Sequence, residues 1–345
     1  MKTQAAILCA IDHPLEIWEL EIPKLGPGQV LVEMAFSGIC RTQLNEIKGY
    51  KGPDAYLPHT LGHEGSGIVR EIGEGVSKVN IGDHVVLSWI KGQGIEAGGC
   101  KYSSKKGLVN SGPISTFLQI AIISENRVIP IPKELPLRDA ALLGCAIPTG
   151  AGMIFNQLQV AKDSSCAIFG VGGIGLSAVL AAKFLEASQI IAVDVSDEKL
   201  AQAKQLGATH LINSKSENPI ARIKEITNGK GAKGVLECVG RVETMEMAFQ
   251  SASIDGLCVI AGNLPKGQKI QIDPFDLISG KKIIGSWGGA TKIDQDIPRY
   301  VKMVLDKNVK VAPLITHEIP LDQINPAFQL LEEGKLGRAI INFNS

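Results

Sequence analysis

The stretch that most constrains this chain runs from Cys166 to Asp194, CAIFGVGGIGLSAVLAAKFLEASQIIAVD. Residues 166–169 form a short apolar run, and Gly170, Gly172 and Gly175 then fit a G-x-G-x-x-G spacing where a helix begins. The first glycine permits a tight turn, the second lets a pyrophosphate approach the backbone, and the third lets the helix pack closely on the strand. Unpaired N–H groups and the positive end of the helix dipole would face the phosphates. Leu176, Val179, Leu180 and Phe184 recur at helical spacing. A second strand, 189–193, delivers Asp194 about 20 residues beyond the glycines, where a carboxylate can bond both ribose hydroxyls. A 2′-phosphate would meet that negative charge, so the pattern predicts NAD over NADP.

The rest of the chain divides by rhythm. Up to about residue 146 short alternating segments dominate: 29–36, 65–72, and a run with turn glycines at Gly73, Gly75 and Gly82. They predict a compact β-barrel or sandwich. From about 147, strand and helix alternate, with further strands predicted at 210–212, 234–238, 256–261 and 282–287. Asn218 caps a helix that has Pro219 at its first position. The tail carries helical runs at 297–307 and 325–333 and a last strand at 338–343, which should return to the first domain. The stretch 91–113, rich in glycine and lysine and without periodicity, reads as a loop.

Composition removes several function classes. Thirty-five Lys plus Arg balance 35 Asp plus Glu, so no basic field favours nucleic acid or an anionic membrane. The N-terminal segment breaks its apolar residues with Asp12, His13 and Glu16, which fits neither a signal peptide nor a membrane span. Seven scattered cysteines do not resemble a disulfide framework. A cytoplasmic protein with reduced thiols is expected.

Cys40, His63 and Cys145 could form a metal shell, since zinc takes two thiolates and an imidazole and keeps a fourth position for water or substrate. Spacing alone favours inert core cysteines and a satisfied histidine over a metal shell. The words around these residues say more. SGICRT, GHEGSGIVREIGEGVSKVNIGDHVV, LLGCAIPTGAG, the glycine turn and PLITHEIPLDQINPAFQLLEEGKLGRAIINF together resemble the zinc-dependent medium-chain alcohol dehydrogenases, nearest the liver-type and glutathione-dependent formaldehyde dehydrogenase branch. The resemblance spans nearly the whole chain.

That resemblance implies an α/β protein: a GroES-like β-rich catalytic domain (1–146 and 288–345) enclosing a Rossmann domain with a doubly wound parallel sheet (147–287), and an active site in the cleft between them. It implies Cys40, His63 and Cys145 as ligands of one catalytic zinc, Glu64 as the acid beside the metal, and Thr42 as the hydroxyl that takes the substrate proton. Gly170, Gly172, Gly173, Gly175, Asp194 and Lys199 would hold NAD, with Arg41 and Arg338 on its pyrophosphate. The partner would be a small-molecule alcohol or carbonyl substrate, and the assembly a homodimer or homotetramer paired near 270–287. Two other readings remain: a zinc-free reductase of quinones or activated double bonds, and a dinucleotide-binding protein without turnover.

The chain also departs from its relatives' pattern. Family members often hold a structural zinc with four close cysteines, whereas 91–113 keeps only Cys100, so no structural zinc is expected. Gln43 replaces the usual aspartate partner of the zinc histidine; its carbonyl can still accept from His63, but without charge, predicting a weaker hold on the metal. Asn45 replaces a histidine of the proton relay. Trp89 keeps an aromatic position of the substrate pocket, while Ser111, Gly112 and Asn263 are smaller or more polar than usual, predicting a bulky polar substrate such as a polyol or sugar derivative.

Overall fold

A computed structural model describes residues 1–345 apart from Lys266, Lys307, Asn308, Lys310 and Ser345. Its strands, in chain order, are β1 (Lys2–Leu8), β2 (Glu16–Glu21), β3 (Gln29–Ile39), β4 (His59–Thr60), β5 (Glu64–Ile72), β6 (His84–Ser88), β7 (Lys101–Ser104), β8 (Gly107–Asn110), β9 (Ile120–Ser124) and β10 (Val128–Ile131). There follow β11 (Ser165–Phe169), β12 (Gln189–Asp194), β13 (His210–Asn213), β14 (Ala232–Glu237), β15 (Ala252–Ile260), β16 (Lys282–Gly285), β17 (His317–Ile319) and β18 (Ala339–Asn342). The chain forms two compact units. The first comprises Met1–Cys145, Lys292–Val301 and Ile315–Ser345, and the second Ala146–Thr291 and Lys302–Leu314.

The first unit is the β-rich one. β1, β2, β7, β8 and β4 close a barrel, and β10, β6, β5, β3, β18 and β17 form a second sheet in that order, with β9 also on β3. Alternation along the strands turns Ala5, Leu20, Val32, Val85, Tyr102 and Leu118 into one buried core. Within the stretch read as a loop, β7 and β8 instead form a hairpin that closes the barrel. Four-residue strands leave too little pattern to read, but each buries one anchor, Tyr102 and Val109, and the Tyr102 hydroxyl accepts the Ile122 N–H at 2.9 Å. The predicted tail strand forms as β18 and pairs antiparallel with β3, matching Ala339 to Ile39.

The second unit is a parallel six-strand sheet in the order β13-β12-β11-β14-β15-β16. The order reverses between β11 and β14, the switch point where such sheets bind ligands beyond their carboxyl ends. Its strands read as apolar runs because helices cover the sheet; Ala167, Phe169, Ile191, Val193, Val235 and Cys258 lie in one buried cluster. Asn218 caps the helix Pro219–Ile226 as predicted, its side-chain oxygen accepting from Ile220 N at 3.0 Å and Ala221 N at 3.1 Å. The run predicted from residue 297 starts earlier, as the helix Ile293–Leu305 with Pro298 inside it; its predicted end, Lys307, lies outside the described residues. Among the described residues no helix is long and apolar enough to cross a membrane.

Candidate active site

β3 ends beside Cys40, whose extended backbone (φ −123°, ψ 151°) caps the helix Arg41–Ile47. His63 follows a turn at Gly62, which has φ +95° and no room for a side chain: a Cβ there would lie 2.3 Å from Thr116 Oγ1. Cys145 ends the turn Ala141–Gly144, which lies against β5 and β6 because a Cβ on Gly144 would meet Leu87 O at 2.3 Å. Three separate segments thus bring Sγ, imidazole nitrogen and Sγ within 4.8 Å of one another. His63 Nε2 is buried and has no hydrogen-bond partner. Two thiols beside an imidazole Nε2 that has no hydrogen-bond partner fit a zinc ion with one open position. The Cys40 thiol is held well below the usual thiol range, chiefly by its hydrogen bond with Cys145, with His63 and the Arg338 charge opposing the effect of burial.

The groups around the triad are also buried. Glu64 is fully buried, and its carboxyl group occupies the space that Gly38 leaves, since a Cβ there would come within 2.5 Å of it. Arg338, just before β18, donates from Nη2 to Glu64 Oε1, while Glu64 Oε2 and Arg338 Nε find no partner. Gln43 corrects one expectation. Its carbonyl accepts the Cys40 N–H at 2.9 Å, and its amide nitrogen faces His63 Nδ1 at 2.6 Å. The backbone N–H can only donate, so it takes the oxygen that was expected to serve His63. Thr42 is exposed on the same helix, its Oγ1 3.8 Å from Cys40 Sγ, and Arg41 Nη1 donates to Leu331 O at 3.1 Å.

In the second unit the glycine turn behaves as its spacing demands. Gly170 has φ +84°, and a Cβ on Gly175 would sit 2.0 Å from Gly170 O, so that the helix Gly173–Phe184 can lie close to β11. Gly172, in contrast, has nothing within 4 Å of its Cβ position, leaving open space at the helix N-terminus. Asp194, at the end of β12, accepts the Val171 N–H on Oδ2 at 2.9 Å and those of Val195 and Ser196 on Oδ1 at 2.8 and 3.1 Å. It therefore stitches the second strand to the glycine turn. Lys199 lies half-buried in the first turn of the next helix, Asp197–Leu206.

Known proteins are similar to this chain over nearly its whole length. Residues 26–133 match the alcohol dehydrogenase GroES-like domain and residues 173–306 the zinc-binding dehydrogenase family. An S-(hydroxymethyl)glutathione dehydrogenase of Synechocystis sp. is 34% identical over 99% of this chain and 100% of its own. The chain belongs to the zinc-containing medium-chain alcohol dehydrogenases. Two solved structures agree: benzyl alcohol dehydrogenase of Acinetobacter calcoaceticus (33% identity, TM-score 0.89) and an alcohol dehydrogenase zinc-binding domain protein of Burkholderia ambifaria (31%, TM-score 0.93), each covering 99% of both chains.

The remaining predicted positions of this dehydrogenase are scattered over both units. Trp89 follows β6 and its carbonyl accepts from Arg127 Nη1. Ser111 is only 8% exposed, and its hydroxyl donates to Gly112 O at 3.3 Å and bonds Ser115 Oγ at 3.1 Å. Asn263 belongs to the second unit, where its backbone leaves no room for a Cβ on Gly240. Sequence reasoning missed Glu237. This fully buried acid ends β14, and its Oε1 accepts from Val239 N (3.0 Å), Gly240 N (2.9 Å) and Thr244 Oγ1 (2.7 Å), fixing the loop beyond the strand. Its signal was available: VLE ends an apolar run in an acid just as AVD does at Asp194.

Proposed function

We propose that this dehydrogenase transfers a hydride between NAD and a polar alcohol or its carbonyl partner, a polyol or sugar derivative, using a single zinc held by Cys40, His63 and Cys145. The observation that carries the zinc assignment is the convergence of these three ligand atoms with His63 Nε2 left unbonded. A zinc ion bound there supplies Lewis acidity that lowers the pKa of a coordinated alcohol. Thr42, two residues after a ligand, has the hydroxyl to accept the substrate proton. Glu64 is the acid beside the metal, with Oε2 free to accept. The glycines from Gly170 to Gly175 receive the pyrophosphate, helped by Arg41 and Arg338, and Asp194 with Lys199 takes the adenosine ribose. Asp194 retains lone pairs for hydroxyl donors and would repel a 2′-phosphate, which supports NAD over NADP.

Trp89, Ser111, Gly112 and Asn263 would shape the substrate pocket, and small and hydrogen-bonding side chains favour a hydroxylated substrate. The relatives' names point to two different substrates, S-(hydroxymethyl)glutathione and benzyl alcohol, at about one-third identity. Identity of that order does not choose between them. Cys100, alone in 91–113, supports a chain without structural zinc, and the exposed Phe275, Ile278 and Trp287 support pairing of copies through this region. The test is a panel of simple alcohols, polyols and sugar derivatives with NAD and with NADP, followed by absorbance of the reduced cofactor. Turnover with NAD on a polyol or sugar above that on primary alcohols is expected; the reverse ranking refutes the substrate assignment.

A further inference from the structure

Gln43 is 1% exposed and spans two residues of the metal centre, one end of its amide at the Cys40 backbone nitrogen (2.9 Å) and the other at His63 Nδ1 (2.6 Å). An amide has one accepting and one donating end. The Cys40 N–H can only donate. A neutral imidazole that offers the Nε2 lone pair to a metal carries its proton on Nδ1, so His63 must then donate as well. A loaded site thus presents two donors to a group with one acceptor, whichever way the amide is turned. Without metal the conflict disappears, because Nδ1 can accept from the amide nitrogen while Nε2 carries the proton.

We infer that Gln43 is a positioning residue that sets metal occupancy against its own hydrogen bonding, so that this chain holds its zinc as an exchangeable ion. The inference rests on the zinc reading above and adds to it a cause that can be removed. In Gln43→Glu the side chain keeps its length and gains a second accepting oxygen, one for Cys40 N–H and one for His63 Nδ1–H. Partners of metal-bound histidines commonly change metal affinity about 10–100-fold when altered.

The experiment measures zinc dissociation constants by competition with a chromophoric chelator, for the full-length wild type and for Q43E, with melting curves to confirm folding. Tightening of 10-fold or more in Q43E is expected. Equal or weaker zinc binding by a folded Q43E overturns the inference but leaves the zinc reading intact, whereas a wild type that takes up no zinc removes both. Should Q43E fail to fold, hydrogen exchange by NMR on the zinc-loaded wild type decides. Either the Cys40 amide proton or the His63 Nδ1 proton should exchange freely; protection of both overturns the inference.

Discussion

Replacing Arg338 by methionine removes the guanidinium from Glu64 and leaves a carboxylate that is 0% exposed with neither oxygen hydrogen-bonded. A buried ion pair is weak evidence for stability as a whole, but breaking one from a single side leaves an uncompensated charge and costs about 3–5 kcal/mol. The arginine is itself only 7% exposed, so little water can reach the pair to reduce that cost. Arg338→Met should therefore lower unfolding stability in urea by about 3–5 kcal/mol. Adding Glu64→Gln to it removes the stranded charge and should recover most of the loss, a coupling that a double-mutant cycle measures. A single variant within about 1 kcal/mol of wild type would show that the pair is not the main work of Arg338. A double variant no more stable than the single one would refute the charge argument. A raised KM for NAD with unchanged stability would assign the arginine to the cofactor alone.

Other outcomes follow from the second unit. Gly172→Ala should fold normally, because its Cβ meets nothing, yet weaken NAD binding by filling the space proposed for the pyrophosphate; Gly175→Ala, with its Cβ 2.0 Å from Gly170 O, should lose both stability and cofactor affinity. Melting curves and cofactor titrations on the pair separate packing from ligand approach. Glu237→Ala leaves the Val239 and Gly240 N–H groups without their acceptor, while the Thr244 hydroxyl keeps Arg241 O at 3.0 Å, and should cost about 1–3 kcal/mol in chemical denaturation and weaken NAD binding, with Glu237→Gln keeping most of both. Burial pushes the Cys166 and Cys258 thiols up to about 12, so iodoacetamide at pH 8 should leave them unmodified in the native protein and label them only after unfolding, as peptide mass mapping would read.

What the sequence disclosed depended on how local each cause is. The strand, glycine turn and helix around Gly170 were legible because buried parallel strands are apolar runs and a G-x-G-x-x-G turn leaves few alternatives. Asn218 and Pro219 announced a helix start from two adjacent residues. The hairpin of β7 and β8 was not legible: each strand has four residues, and its anchor, Tyr102 or Val109, becomes meaningful only when the barrel closes around it. Cys40, His63 and Cys145 gave an ambiguous signal by spacing and a clear one through the motifs around them. The partners of those residues were harder still. Arg338 and Glu64 are 274 positions apart, and no periodicity links them. The glutamine at position 43 is legible in the sequence, but which donor takes its single carbonyl is a matter of three-dimensional distance.

In the proposed function, the cluster of Cys40, His63 and Cys145 holds the zinc on which hydride transfer depends. Its most direct test is metal analysis combined with turnover, on protein equilibrated with zinc and freed of excess, comparing wild type with Cys40→Ser and His63→Ala. One zinc per chain with NAD-linked alcohol oxidation in the wild type, and loss of both in either folded variant, is the predicted result. Full activity in a variant that retains no zinc would show that hydride transfer does not depend on this cluster.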